Sequence, residues 1–326
     1  MQDIQAYVES VCRAAKEASR SYGSTSTAKK NALLCAMADQ LTADCAAILA
    51  ANAEDLSAAA ENGVPKTMLD RLKLDEKRLS GICAALREVA ALPDPIGSGE
   101  QTIRPNGLVI RHVRAPMGCV AMIYEARPNV TVDAAALCLK TGNAVVLRGG
   151  KEAIRSNRCV AQLMRDALVS VGLPADCISL VQDTDRETAN ELMHLDGYVD
   201  VLIPRGGASL IRTVAKEASV PVIRTGEGVC HIYIDNEADL DMGAKVLYNA
   251  KCSRPSVCNA VECVLIHEAV LEPFLTKAVP LLEEKNVELR CDGKVLDILG
   301  SKAIPAVEAD WDAEYDDYIL AVRTVK

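Results

Sequence analysis

The 326 residues are enough for about two domains and for a core that needs neither disulfides nor metal ions. Half of the residues are hydrophobic and 25% are charged, which excludes a disordered chain and a fibrous repeat. The net charge of −9, without a basic cluster, argues against a nucleic-acid or membrane-surface partner.

No apolar run approaches the roughly 18 residues that a membrane span needs. The first residues, which include Asp3 and Glu9, lack the charged-then-apolar pattern of a signal peptide. We therefore expect a cytoplasmic protein with no membrane partner.

Residues 1–91 are predicted to be mostly helical, because apolar side chains recur there at helical spacing. The recurring residues are Ile4, Val8 and Cys12, then Leu34, Met37, Ala38 and Leu41, then Leu79, Ile82, Leu86 and Val89. A Pro- and Gly-containing stretch at 92–99 ends this pattern, and residues 107–114 partly alternate, as in a strand.

From residue 116 onward, apolar runs of strand length alternate with amphipathic stretches of helix length. The alternation predicts an α/β fold whose parallel sheet is covered by helices on both faces, with ligands at the carboxyl ends of its strands. Strands are expected at 119–124, 143–148, 178–182, 199–203, 221–223 and 230–234, and helices near 129–140, 152–170, 185–194, 207–218 and 238–250.

A second α/β unit follows, with a strand near 261–267 and a helix near 269–285. We place the domain boundary after residue 250, which gives domains at 1–250 and 251–326. An apolar strand pattern begins at Tyr318 and runs almost to Lys326. We therefore expect the second domain to be truncated, with its C-terminal part missing.

The thirteen cysteines are odd in number, scattered along the chain, and contain no Cys-x-x-Cys pair. This pattern predicts neither a disulfide framework nor a metal site. Most of the cysteines lie among Ala and Leu, as Cys83 and Cys138 do, and such cysteines act as small buried hydrophobes in a reducing compartment.

Cys258 has a different setting, in a polar, Pro-containing segment at 249–260 that precedes an apolar strand. Lys251 and Arg254 are close to it in sequence, and nearby cations raise the thiolate fraction of a cysteine. Cys258 is therefore the candidate nucleophile. The four histidines are dispersed, so the sequence does not support a Cys–His pair.

Three further loops carry polar residues next to predicted strands, at 123–130, 204–209 and 225–228. The first combines a carboxylate, a guanidinium and an amide. The second contains Gly206 and Gly207, whose backbone could approach a phosphate at a helix start. Each loop taken alone is also typical of an ordinary turn.

Taken together and in order, five segments resemble the aldehyde dehydrogenase superfamily, and the resemblance covers essentially the whole chain. They are Arg-Ala-Pro-Met-Gly-Cys-Val at 114–120, Tyr-Glu-Ala-Arg-Pro-Asn-Val at 124–130, Lys-Thr-Gly-Asn-Ala-Val-Val-Leu-Arg-Gly-Gly-Lys-Glu-Ala at 140–153, Ile-Pro-Arg-Gly-Gly at 203–207 and Arg-Pro-Ser-Val-Cys-Asn-Ala at 254–260. The resemblance implies a doubly wound NADP(H)-binding domain within 1–250 and a catalytic α/β domain within 251–326.

The resemblance also implies roles for individual residues. Cys258 matches the nucleophile, and Asn129 and Arg127 match the loop that lines the catalytic pocket. The implied cofactor contacts are Arg148, with Lys151 as the alternative, Gly206, Gly207 and Ser209 near the phosphates, and Glu314 at the nicotinamide ribose. Arg127, Lys251 and Arg254 are the expected sources of positive charge for an anionic substrate, although each could instead form a salt bridge.

The implied activity is NADPH-dependent reduction of an acyl phosphate, L-glutamyl 5-phosphate, to L-glutamate 5-semialdehyde and phosphate through a cysteine thioester, in proline biosynthesis. Two alternatives stay open. One is another acylating dehydrogenase, for example one dependent on coenzyme A. The other is an inactive fragment that serves as a folded or partner-binding piece. The resemblance also allows a homo-oligomer where a C-terminal tail is present, and association with glutamate 5-kinase.

One position departs from the hydrolytic members of the superfamily, which carry a water-activating Glu. Thr225 aligns near that position, and Glu227 follows two residues later. We expect the missing base to protect the thioester from water, and Glu227 to pair with a neighbouring cation or cap a turn.

Overall fold

The computed structural model describes residues 4–125, 127–224 and 228–326, without the side chains of Lys66, Thr67 and Ala208. The chain divides into two compact units, Met1–Thr225 and Gly226–Lys326, called unit 1 and unit 2 below.

Unit 1 begins with helices, as the apolar spacing predicted. They are α1 (Ile4–Tyr22), α2 (Thr27–Ala43), α3 (Cys45–Glu61), α4 (Lys66–Leu72) and α5 (Glu76–Ala91). Side-chain caps define two of their starts, since Ser26 accepts a hydrogen bond from the Lys29 N–H and Asp75 from the Arg78 N–H. Among the described residues no single helix is long and apolar enough to cross a membrane, and only the bent pair α2 and α3 passes that test together.

A parallel sheet forms the centre of unit 1, as predicted. Its strands are β3 (Cys119–Tyr124), β4 (Ala144–Arg148), β5 (Ile178–Leu180) and β6 (Val201–Arg205), in the order β5-β4-β3-β6, and an antiparallel pair, β1 (Gly99–Ile103) and β2 (Val109–Val113), precedes them. The connecting helices are α6 (Pro128–Lys140), α7 (Ile154–Ser170), α8 (Arg186–Leu192) and α9 (Ala208–Glu217). The strand expected at 221–223 is a single bridge between Val222 and Leu202.

Helices cover both faces of this sheet. One face packs with α2, α5, α6 and α7 around residues such as Met37 and Leu139, and the other packs with α1 around Val8 and Cys12. The strand order reverses between β3 and β6, so the carboxyl ends of these two strands flank a crevice of the kind that binds ligands in such sheets. The backbone N–H of Glu125, just beyond β3, donates to the carbonyl of Arg205 at the end of β6, at 3.2 Å.

Unit 2 contains a second parallel sheet in the order β10-β9-β11-β8-β7. Its elements are β7 (Cys230–Ile234), α10 (Leu240–Cys252), β8 (Val261–His267), α11 (Leu271–Glu283), β9 (Glu288–Cys291), α12 (Gly293–Leu299), β10 (Ile304–Pro305) and β11 (Ile319–Val325). Phe274, Leu275 and Leu289 are buried in its own core.

Unit 1 ends at Thr225, which is 25 residues before the predicted domain boundary at 250/251. β7 pairs with β8, and α10 packs with α11, so both elements belong to unit 2. The alternation of strands and helices continues without a break across residues 225–260, so the pattern alone could not locate this boundary.

Candidate active site

The crevice of unit 1 holds the turn that was predicted to bind cofactor phosphates. Gly207 directly precedes α9, and its backbone N–H donates to Oε2 of Glu125 at 2.9 Å. The first N–H groups of a helix have no partner within the helix and carry partial positive charge, so they attract anions. Here the bound anion is a carboxylate of the protein itself. This carboxylate is visible in the sequence of the loop at 123–130, but no role was predicted for it.

The two glycines of this turn differ in how closely they are packed. A Cβ at Gly206 would lie 2.6 Å from the Glu125 carboxylate, whereas a Cβ at Gly207 would approach only Oε2 of Glu125, at 3.9 Å. Ser209 is exposed in the first turn of α9. A turn that already binds an oxyanion through its backbone fits the phosphates of a dinucleotide cofactor.

The guanidinium of Arg148 is bound to backbone carbonyls, whereas a residue that binds the 2′-phosphate of NADPH needs free N–H groups. The residue is only 9% exposed at the end of β4. Its Nη2 donates to the carbonyls of Thr184 at 2.7 Å and Asp185 at 2.8 Å, and Nη1 donates to that of Gly149 at 3.2 Å. Burial lowers its pKa. Arg148 therefore holds the loop before α8, and its predicted cofactor role, which would use a guanidinium already engaged with these carbonyls, stays a prediction. Lys151 is exposed three residues further on and is the better candidate.

Arg127 and Asn129 lie where α6 begins, in unit 1. Arg127 is half-buried at the N-cap position of α6. The Nδ2 of Asn129 donates to Oδ2 of Asp133, one helical turn later, at 2.9 Å. The nucleophile candidate Cys258 belongs to unit 2. The catalytic role of Asn129 and the substrate role of Arg127 stay predictions.

Cys258 lies in the loop between α10 and β8 and is the one exposed thiol among the thirteen free cysteines, all of which lie within the described ranges. Burial raises the pKa of Cys263 to about 11 and that of Cys138 to about 12. Such thiols are almost entirely protonated at neutral pH and are poor nucleophiles. Exposure therefore separates Cys258 from the buried cysteines.

The structure brings Cys258 together with Glu314. A Cβ at Gly228 would lie 2.8 Å from the carbonyl oxygen of Cys258, and the backbone N–H of Gly228 donates to Oε2 of Glu314 at 3.3 Å. The thiol of Cys230 also donates to the Cys258 carbonyl, at 3.4 Å. These residues precede or begin β7, β8 and β11, so this candidate site lies at the amino ends of the strands of unit 2.

Lys251 does not face a substrate. It is fully buried, and its Nζ donates to Oε2 of Glu262, which is 1% exposed, at 2.7 Å. This ion pair corrects the predicted substrate contact. Arg254 is exposed on the same loop as Cys258. Thr225 and Glu227 lie outside the described residues, so the expectation about the water-activating position stays a prediction.

A cavity of about 890 Å³ lies elsewhere in unit 1, between α1, α7 and β5. None of the predicted site residues lines it. Its arginines are engaged with the protein, since Arg158 donates to the Gln182 carbonyl at 3.0 Å and Arg165 pairs with Asp176 at 2.9 Å. Both arginines are therefore held by contacts within unit 1.

The sequence profile of the aldehyde dehydrogenase family matches residues 2–295. The chain belongs to the aldehyde dehydrogenase family. A gamma-glutamyl phosphate reductase of Enterococcus faecalis is 51% identical over 312 residues, which are 95% of this chain and 75% of that protein. The crystal structure of gamma-glutamyl phosphate reductase from Thermotoga maritima has a TM-score of 0.89 and 38% identity, and covers 99% of this chain and 78% of that one.

An acetylating aldehyde dehydrogenase from Geobacillus thermoglucosidasius shares the fold, with a TM-score of 0.71, at 16% identity over all of this chain and 77% of that one. Membership of the aldehyde dehydrogenase family confirms the predicted fold class and the resemblance from which the site residues were assigned.

Proposed function

We propose that this chain reduces L-glutamyl 5-phosphate to L-glutamate 5-semialdehyde and phosphate with NADPH, through a thioester on Cys258. The observation that carries the proposal is the single exposed thiol, Cys258, beside Glu314, in a chain 51% identical to a gamma-glutamyl phosphate reductase. The reaction would serve proline biosynthesis in the cytoplasm.

Cys258 begins the reaction as a thiolate that attacks the acyl carbon. The bond from that carbon to the phosphate oxygen breaks, and the phosphate leaves with the electron pair. Because phosphate is a good leaving group, the protein needs little acid catalysis. The oxyanion that forms during the attack needs hydrogen-bond donors, for which we propose the Cys258 backbone N–H and a side-chain amide.

When bound, a nicotinamide cofactor would supply the hydride for reduction of the thioester carbonyl. The residues of this chain hold the cofactor for that step. We propose the Gly206–Gly207 turn and Ser209 for its phosphates, Lys151 for its 2′-phosphate and Glu314 for its ribose. Collapse of the reduced adduct then breaks the carbon–sulfur bond, releases the semialdehyde and returns the Cys258 thiolate.

The reverse reaction tests the proposal. The chain is mixed with glutamate 5-semialdehyde and NADP⁺, and NADPH is followed by absorbance with phosphate, with coenzyme A, or with neither. We expect a rate that requires phosphate and disappears in Cys258→Ser. A rate that requires coenzyme A would favour the other acylating dehydrogenase. No turnover by a chain that is folded by circular dichroism would favour the inactive fragment.

A further inference from the structure

Unit 2 contains a buried ion pair that the proposed chemistry does not use. Lys251 Nζ and Glu262 Oε2 are 2.7 Å apart, and the two side chains are 0% and 1% exposed. Lys251 lies in the last turn of α10, and Glu262 is the second residue of β8. The loop that carries Cys258 connects these two elements, so the ion pair joins the two ends of the nucleophile loop.

Stability alone does not explain such a pair. Taking two charges out of water is costly, and apolar side chains of similar volume often stabilise a fold equally well or better. Burial raises the pKa of Glu262, while its hydrogen bond to Lys251 opposes that effect. The presence of a buried carboxylate at Glu262 therefore needs an explanation other than stability.

The second oxygen of Glu262 provides one. Its Oε1 accepts a hydrogen bond from the backbone N–H of Asp316 at 3.4 Å. Asp316 has φ of 55°, in the left-handed region that non-glycine residues seldom adopt. A hydrogen bond from a residue outside this segment therefore helps to keep Asp316 in that conformation. Glu314 is two residues earlier, and its own carboxylate accepts the N–H of Gly228 at 3.3 Å.

We propose that Glu262 is a positioning residue that holds the Glu314 segment against the base of the Cys258 loop. Lys251 keeps Glu262 ionised and oriented, and neither residue touches the substrate. The cofactor part of this inference rests on the proposed function, because it assigns Glu314 to the nicotinamide ribose. The positioning of residues 314–317 depends only on the Lys251–Glu262 ion pair and the hydrogen bond from the Asp316 N–H to Glu262.

Two double variants isolate the hydrogen bond to Asp316. Lys251→Met/Glu262→Gln and Lys251→Met/Glu262→Met both remove the ion pair and have similar side-chain volumes. Only the Gln variant keeps a side-chain oxygen for the Asp316 N–H. Melting temperatures measured on both show whether they are folded equally well.

We expect the Met/Met variant to raise the KM for the cofactor about tenfold over the Met/Gln variant, the effect of losing one hydrogen bond. The KM for the semialdehyde should be the same in both. Hydrogen exchange of the amides at 314–317 should be faster in the Met/Met variant, whether or not the chain is active.

Equal exchange at 314–317 in the two variants would overturn the proposal, and so would equal cofactor KM values in an active chain. If the wild-type chain shows no phosphate-dependent turnover, the proposed function fails, while the exchange comparison still decides the role of Glu262. The two failures are therefore distinguishable.

Discussion

Replacing Glu125 with Gln should tighten the binding of NADPH. The Glu125 carboxylate accepts the Gly207 N–H at the start of α9, where we propose that the cofactor phosphates bind. A phosphate that takes this N–H must displace the carboxylate, and it then stands close to a like charge. Gln has nearly the same shape, makes a weaker bond to the N–H and carries no charge.

The size of the effect follows from the place of Glu125 in the fold. A carboxylate at an exposed helix start is stabilised by about 0.3–1 kcal/mol at low ionic strength. Glu125 is exposed, so we expect a change within this range. Since a tenfold change in affinity corresponds to about 1.4 kcal/mol, the Kd for NADPH should fall about two- to fivefold.

Fluorescence titration of NADPH measures this Kd, and the advantage of the variant should shrink in high salt because the charges are exposed. Glu217→Gln, which removes an exposed carboxylate at the opposite end of α9, is a matched control. It should bind NADPH as the wild type does. Weaker NADPH binding by Glu125→Gln would refute competition between the Glu125 carboxylate and the cofactor phosphate. It would indicate instead that Glu125 keeps the turn in the conformation that binds the cofactor.

Three further predictions concern the nucleophile, the residue that binds the 2′-phosphate, and hydrolysis of the thioester. Cys258→Ser should fold but lose turnover by several orders of magnitude in the NADPH assay, whereas Cys138→Ala should cost about 1 kcal/mol in urea unfolding and spare turnover; full activity of Cys258→Ser would remove the nucleophile assignment. Arg148→Ala should lower the melting temperature and weaken NADPH and NADH equally, while Lys151→Ala should weaken NADPH selectively; a selective NADPH loss in Arg148→Ala would restore its predicted role. Glu227→Gln should leave the phosphate-dependent rate unchanged, and rapid phosphate-independent glutamate release that vanishes in this variant would show a hydrolytic enzyme instead.

Apolar periodicity predicted the elements well where strands are buried on both faces. The expected strand at 119–124 is β3 (Cys119–Tyr124), and that at 261–267 is β8 (Val261–His267). Periodicity does not state which strands pair. β7 was expected in the first sheet and joins the second, because its partner β8 follows it with α10 between them. Pairing is a tertiary property, so the predicted domain boundary was displaced.

The sequence predicted the loops that carry the candidate site residues better than it predicted the contacts of the charged residues within them. Motifs in order located the turn at Gly206 and the exposed thiol of Cys258. They did not show that Arg148 donates to backbone carbonyls or that Lys251 is paired inside unit 2. Glu262 was missed, although a lone acid inside the apolar run at 261–267 was a visible signal, because buried acids need partners.

The pairing of Lys251 also changes the electrostatic argument for the nucleophile. Its closeness to Cys258 in sequence suggested a cation that would favour the thiolate. A cation and an anion 2.7 Å apart act at a distance as a dipole, whose potential decreases faster with distance than that of a single charge. Little net positive potential from Lys251 therefore reaches the thiol. Of the two predicted cations, Arg254 alone is exposed on the loop of Cys258, where salt weakens its effect. The reactivity of Cys258 must then depend more on the exposure and backbone geometry of its loop than on the basic residues near it in sequence.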